Sequence, residues 1–449
     1  MLYFNIDKRT DARISRNCSE TLMKRLWNSF CSLESDLYIT AGDENAFSVG
    51  NAARPKLECG SEYALNVTES GIAVAGKDFG GLMRGFCSLL MKIEHGTNGL
   101  RLPCVTEQGI YRIGNRMLHI CIFPETDLYF AYKTVRLAGI CGYTHLVLEF
   151  WGMLKYDCLK ELSWNTAYTK DEIAGLISEC RAFGMEPIPM FNHLGHASAS
   201  RECIGKHVVL DQNPRLDLLF LPDGWVWNIC SDETTHLLRR VRSELYELFG
   251  KGEFFHIGCD EARSVSENPF MRHEILPKYL YTLTREVEKE GRRPMVWMDM
   301  FLEEGRFEHC YASGKADDIP LLRGALSDST VFVDWQYDSV RCPIPSLFSL
   351  KDSGHDCIGA PWNKKENYTA CVDTVAENGL FGIMQTTWHT LSLSSPGYIV
   401  DCAKKCGTHT FGWSQNCGSY DEIAVLMRRV SFEGNTYESA GWLRNQIEF

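Results

Sequence analysis

The segment EFFHIGCDE at 253–261 decides the fold. Its first half is an apolar, aromatic run of strand length without helical spacing, and it breaks at Gly258. Asp260 and Glu261 follow at once, then Arg263, so reactive side chains stand where a strand gives way to a loop. Runs of the same kind recur on both sides: MLHIC at 117–121, HLVLEF at 145–150, PIPMF at 187–191, PMVWM at 294–298, TVFVDW at 330–335, DCIGA at 356–360 and FGIMQT at 381–386. Several lack polar alternation, as strands buried on both faces do.

Amphipathic segments separate these runs. Thr169 and Glu172 form a capping-box pair, after which Ile173, Leu176, Ile177, Cys180 and Phe183 recur at helical spacing. A second such helix lies near 234–249, with Gly250 at the position of a C′ glycine. Eight strand-helix units predict an α/β chain built as a (β/α)8 TIM barrel over 109–449. Residues 1–108 predict a small α/β domain packed against it, with a helix-like start, a strand in GIAVAG at 71–76 and an amphipathic segment at 81–93.

Composition narrows the function. The chain has 449 residues, 45% hydrophobic and 23% charged, and no apolar run approaches the ~18 residues that a membrane span requires. A net charge of -12 has the wrong sign for nucleic-acid binding. The first dozen residues carry acids and bases without an apolar h-region, and the 19 cysteines are scattered through apolar runs without a C-x-x-C pair. A cytoplasmic protein with free thiols is expected.

In a (β/α)8 barrel the active site gathers at the C-terminal ends of the strands. Those ends supply Glu149, Trp151, Asn192, His193, His196, Asp260, Glu261, Trp297, Asp299, Trp335, Tyr337, Trp362, Asn363, Trp388 and His389. Trp297, Trp335, Trp362 and Trp388, from four strands, would wall a cup suited to the C–H face of a pyranose ring, although each alone is an ordinary core residue. Adjacent carboxylates on a regular strand point to opposite faces; at a strand end both could turn into one pocket and raise each other's pKa, which suits a glutamic acid to general-acid work.

HIGCDE, with NHLGHAS at 192–198, VWMDM at 296–300, DWQYD at 334–338, APWN at 360–363 and TTW at 386–388, resembles glycoside hydrolase family 20, the exo-β-N-acetylhexosaminidases. The likeness is closest to the hexosaminidase D branch, which is similar in having Cys before the Asp-Glu pair and Trp-x-Tyr after the sixth strand. The resemblance implies a retaining, substrate-assisted mechanism acting on terminal β-linked GlcNAc or GalNAc, with no cofactor and no metal. It implies Glu261 as general acid/base, Asp260 as the residue orienting the acetamido group, and His196 as support for the carboxylates. Trp297, Trp335 and Trp388 fall on its pocket-lining tryptophans; Glu149 and Trp362 join them as substrate-binding candidates.

Three departures stand out. Pro361-Trp362-Asn363 replaces the family's Pro-Trp-Tyr, so Tyr337 is expected to hold the acetamido oxygen, with Asn363 as substitute. CIFPE at 121–125 lacks the arginine that binds the 3- and 4-hydroxyls, and Thr390 stands where many members carry an acid. The choice between GlcNAc and GalNAc stays open. Two other readings stand beside it: a metal-dependent hydrolase on His193, His196 and His256, and a catalytically silent sugar-binding barrel, which would require the Asp-Glu pair to be lost. A carbohydrate is the expected partner; a barrel of this size is compatible with a homodimer, though no residue argues for one.

Overall fold

The computed structural model describes residues 2–198, 205–392, 394–407 and 420–432; of residues 390 and 420–422 only the backbone is described. Eight parallel strands close into a barrel in sequence order: β1 (Asn115–Ile122), β2 (His145–Phe150), β3 (Glu186–Met190), β4 (Phe254–His256), β5 (Arg293–Trp297), β6 (Val331–Asp334), β7 (Asp356–Gly359) and β8 (Gly382–Thr386), which pairs back to β1. Each lies on an apolar run quoted above. Met117, Val147, Ile188, Phe254, Met295, Val331, Ile358 and Met384 fill the interior as one buried cluster, so the barrel is a packed core rather than a pore.

The helices form the outer ring. Lys170–Ala182 begins with the expected capping box: Thr169 accepts from the Glu172 amide, and Glu172 accepts from the Thr169 amide at 2.7 Å. Asp232–Phe249 ends at Gly250, whose φ of 64° lies in the left-handed region open to glycine.

The N-terminal unit is a six-stranded sheet in the order Asp36–Ala41, Arg9–Ile14, Ala46–Gly50, Gly71–Gly76, Tyr63–Thr68 and Val105–Gln108. Helices Glu20–Phe30 and Phe79–Leu90 pack on it. The expected helix-like start is incorrect: Arg9–Ile14 is a strand whose residues are alternately exposed and buried, a period of two masked by its mixed charge. Helix Phe79–Leu90 also packs on Leu128–Ile140 of the barrel. The two units share a buried ion cluster in which Glu62 meets Arg84 Nε at 2.5 Å and Arg116 Nη2, at the start of β1, at 3.0 Å.

Candidate active site

The loops after β3 and β4 dock through two glycines. A Cβ on Gly258 would stand 1.4 Å from Asn192 Oδ1, and one on Gly195 would stand 2.0 Å from the Asp260 carbonyl oxygen, so neither position admits a side chain. Cys259 and Glu261 both adopt left-handed backbone conformations, with φ of 70° and 50°. For non-glycine residues such conformations cost about 1–2 kcal/mol each, and they persist where the surroundings fix them. Their effect is to cancel the alternation of an extended strand. Asp260 Oδ2 and Glu261 Oε2 both meet His196 Nε2, at 3.3 and 3.0 Å.

The two carboxylates differ in setting. The Asp260 side chain is 6% exposed and accepts from Asn192 Nδ2 at 2.9 Å, whereas Glu261 is 29% exposed at the mouth. The expectation that the pair raises both pKa values fails at Asp260. Burial does push it up, but Lys206 and His196 outweigh burial and hold it well below the usual carboxylate range. The raised acid is Asp299, pushed to about 7 by burial and by the charges of Asp260 and Glu261; its Oδ2 accepts from the Glu261 amide at 3.0 Å. His196 is raised because Asp260 and Glu261 outweigh its burial.

Lys206 escaped the sequence reading, since a single lysine in IGKHV carries no strand-end or spacing signal. It is almost fully buried and meets Glu149 Oε1 at 2.6 Å. Glu149 Oε2 also accepts from Trp151 Nε1 and from Cys121, both at 3.2 Å, and lies 3.3 Å from His119 Nε2. The Lys206 ammonium sits 5.3 Å from the Trp388 ring centre. Trp225 was also missed: it packs on His196 at 4.2 Å and donates to the Glu261 carbonyl at 2.9 Å.

The aromatic residues join as a chain. Trp388 Nε1 donates to Tyr337 Oη at 2.6 Å; Tyr337 lies 5.6 Å from Trp335 and 5.5 Å from Trp362, centre to centre. Trp297 departs from the pocket-lining expectation. It is wholly buried in the barrel interior, between His256 at 4.5 Å and Trp388 at 5.5 Å, and so forms a floor beneath the wall. Asn363 is exposed and takes no part in the contacts that tie the others together. The Thr390 side chain lies outside the described residues.

The three histidines of the metal reading do not converge. His193 Nδ1 pairs with the Phe191 carbonyl at 2.7 Å, His256 Nδ1 accepts from the Gly258 amide at 3.1 Å, and only His196 reaches the carboxylates. Burial pushes His256 down to about 3 and His193 well below its ordinary range, so both are neutral packing groups. Among the described residues, the group spaced to hold an ion is His119, Cys121 and Glu149.

Comparison with known proteins bears on the family and the fold. Residues 148–317 match the model of the glycosyl hydrolase family 20 catalytic domain; that span holds Glu149, His196, Lys206, Asp260, Glu261, Trp297 and Asp299, while Trp335, Tyr337, Trp362 and Trp388 lie beyond it. Among curated proteins, none matches in sequence. A family 20 exo-β-N-acetylglucosaminidase from Vibrio harveyi shares the fold with a TM-score of 0.67 at 13% identity, over 97% of this chain and 75% of that one. A Streptomyces plicatus β-hexosaminidase gives 0.65 at 14%, over 98% and 92%, and a Bacteroides fragilis β-N-acetylhexosaminidase 0.62 at 16%, over 99% and 92%.

Proposed function

We propose that this chain is a retaining exo-β-N-acetylhexosaminidase that removes terminal β-linked GlcNAc or GalNAc with help from the substrate's own acetamido group. The observation that carries the reading is one imidazole nitrogen, His196 Nε2, shared by a sunken, ionised Asp260 and a more exposed Glu261. A carboxylate kept charged at depth suits acceptance of an acetamido N–H, and holds that group while positive charge develops on it. The acetamido oxygen then attacks the anomeric carbon. As the glycosidic bond breaks, the Glu261 carboxyl gives its proton to the departing oxygen. The resulting carboxylate takes a proton from water, which opens the oxazolinium ring with overall retention.

Tyr337 Oη accepts from Trp388, and its own O–H, which lies beside the Thr386 hydroxyl, is the donor assigned to the acetamido oxygen. Trp335, Trp362 and Trp388 flank it as ring walls. Glu149 and Lys206 take the place of the missing arginine at the ring hydroxyls, one supplying acceptors and the other donors. No step calls for a cofactor.

Cys259 before Asp260 and the Trp335-Gln336-Tyr337 run favour a hexosaminidase D-like enzyme. The seventeen described cysteines are free, which supports a cytoplasmic setting. Val105–Gln108 as the last strand of the N-terminal sheet supports a division at 108/109.

The deciding experiment compares chromogenic β-GlcNAc, β-GalNAc and β-glucose glycosides. Turnover of either acetamido sugar, with the glucoside inert and chelator without effect, is the expected outcome. Equal turnover of the glucoside would remove the acetamido group from the mechanism.

A further inference from the structure

His119 and Cys121 project to the same side of β1, two residues apart, and Cys121 is the register partner of Glu149 on β2. The proposed hydrolysis asks nothing of the first two. Yet Cys121 Sγ lies 3.6 Å from His119 Nε2 and 3.2 Å from Glu149 Oε2, and His119 Nε2 lies 3.3 Å from that same oxygen. We propose that His119, Cys121 and Glu149 form a binding site for a thiophilic divalent cation, Zn2+ above all, and that its occupation blocks the sugar site.

The triangle has the dimensions of a tetrahedral zinc face. With Zn–S near 2.3 Å and Zn–N and Zn–O near 2.0 Å, tetrahedral angles put sulfur and nitrogen about 3.5 Å apart, sulfur and oxygen about 3.5 Å, and nitrogen and oxygen about 3.3 Å. The observed sides differ from these by at most a few tenths of an ångström. Thiolate with imidazole selects zinc over magnesium or calcium. Three protein ligands leave a fourth position for water.

The surroundings fit. Lys206 holds the other carboxylate oxygen, Oε1; Oε2 accepts from Trp151 Nε1 with one lone pair and has its second for the ion. His119 Nδ1 is buried without a hydrogen-bond partner, so it can carry the ring proton while Nε2 offers its lone pair. Burial and the Glu149 charge keep Cys121 a thiol at rest. On loading, its S–H bond breaks, the S–Zn bond forms, and the proton leaves to solvent; no oxidant or reductant takes part. Zinc, one thiolate and one carboxylate sum to zero, so Lys206 remains as a single positive charge whose field already acts on Asp260.

The ion would engage the carboxylate assigned to the ring hydroxyls, beside the Trp297 and Trp388 rings that His119 meets edge-on at 6.0 and 4.9 Å. The inhibitory half therefore rests on the glycosidase reading; the binding half does not.

The whole chain is titrated with Co2+ as a spectroscopic probe and with Zn2+ against a chromogenic chelator, after thermal melts of wild type, Cys121→Ser and His119→Gln. One equivalent with a thiolate-to-cobalt charge-transfer band is expected, absent in Cys121→Ser, and weakened at least about tenfold in His119→Gln. Excess Mg2+ should not compete. In turnover, Zn2+ should raise KM, leave kcat unchanged and be reversed by chelator, and the effect should vanish in Cys121→Ser. If Cys121→Ser does not fold, Cys121→Ala and His119→Gln decide the matter. Titrations that are the same in wild type and variants would assign the signal to other cysteines and overturn the site. Tight binding without inhibition overturns the blocking role alone, and a specific band in a protein that cleaves no amino sugar overturns the glycosidase reading instead.

Discussion

Lys206 and Glu149 form a buried ion pair, Nζ to Oε1 at 2.6 Å, with side chains 1% and 2% exposed. A pair so deep is costly to desolvate, and its Coulomb energy repays that cost only with good geometry and further hydrogen bonds. Here Trp151 and Cys121 supply two more bonds to the carboxylate. Lys206 still has donors to spare, as a residue that meets sugar hydroxyls needs.

Lys206→Met should therefore act twice. Stranding Glu149 unpaired should cost about 3–5 kcal/mol of stability, read in urea unfolding. Whatever folds should show KM raised at least about tenfold, the effect of losing one charged hydrogen bond of roughly 1.5–3 kcal/mol. Adding Glu149→Gln should recover stability but not KM. A Lys206→Met enzyme with wild-type KM would remove the pair from substrate binding.

Glu261→Gln should lower kcat by about 10²–10⁴-fold on an ordinary glycoside, the usual worth of general acid-base catalysis. With a strongly acidic leaving group, which departs without protonation, the first step should recover and appear as a burst ahead of slow turnover. Stopped-flow absorbance separates the two.

Tyr337→Phe should reduce kcat by about 10²-fold, the loss that a misoriented attacking group can bring, with little change in the thermal melt. Trp388→Phe, which removes the indole donor to Tyr337, should show a smaller loss with the same pH profile. Wild-type turnover in Tyr337→Phe would move the acetamido-binding role elsewhere.

Asp299 gives a pH signature in stability. Its carboxyl is raised to about 7 in the folded chain, above about 3.9 when unfolded. Between these values Asp299 holds more proton in the folded state than in the unfolded one, so its contribution to stability falls as pH rises from about 4 to about 7 and then levels off. Asp299→Asn should lose this decline, becoming more stable relative to wild type at pH 8 than at pH 4. Parallel urea titrations across that range check it; equal slopes for both proteins would contradict the shift.

The seam between the N-terminal sheet and the barrel depends on Glu62. Its carboxylate is held low despite burial because Arg116 and Arg84 face it. Glu62→Ala leaves the buried Arg116 charge with carbonyl acceptors alone and Arg84 with only Asp78 at 3.9 Å, and should cost about 3–5 kcal/mol. Calorimetry is the check, with Glu62→Asp as the milder control.

The eight barrel strands were legible because runs such as HLVLEF and PMVWM are strand-length, apolar on both faces and bounded by amphipathic helices. Capping at Thr169 and Gly250 is likewise local chemistry. Arg9–Ile14 was not legible, since its charges hide a two-residue alternation that only burial against a helix layer exposes. Asp260, Glu261 and Tyr337 are legible as candidates from their places at strand ends, and the role expected of Tyr337 comes from the family resemblance.

What the linear chain determined was therefore the list of elements and most of the reactive side chains. Tertiary structure decided how those side chains are charged and which of them meet. Whether Asp260 is raised or lowered depends on Lys206, 54 positions earlier, and the Glu149–Cys121–His119 contacts exist only because β1 and β2 pair in register. Coulomb interactions in a poorly solvated interior depend on distances in space, and separation along the sequence does not encode them.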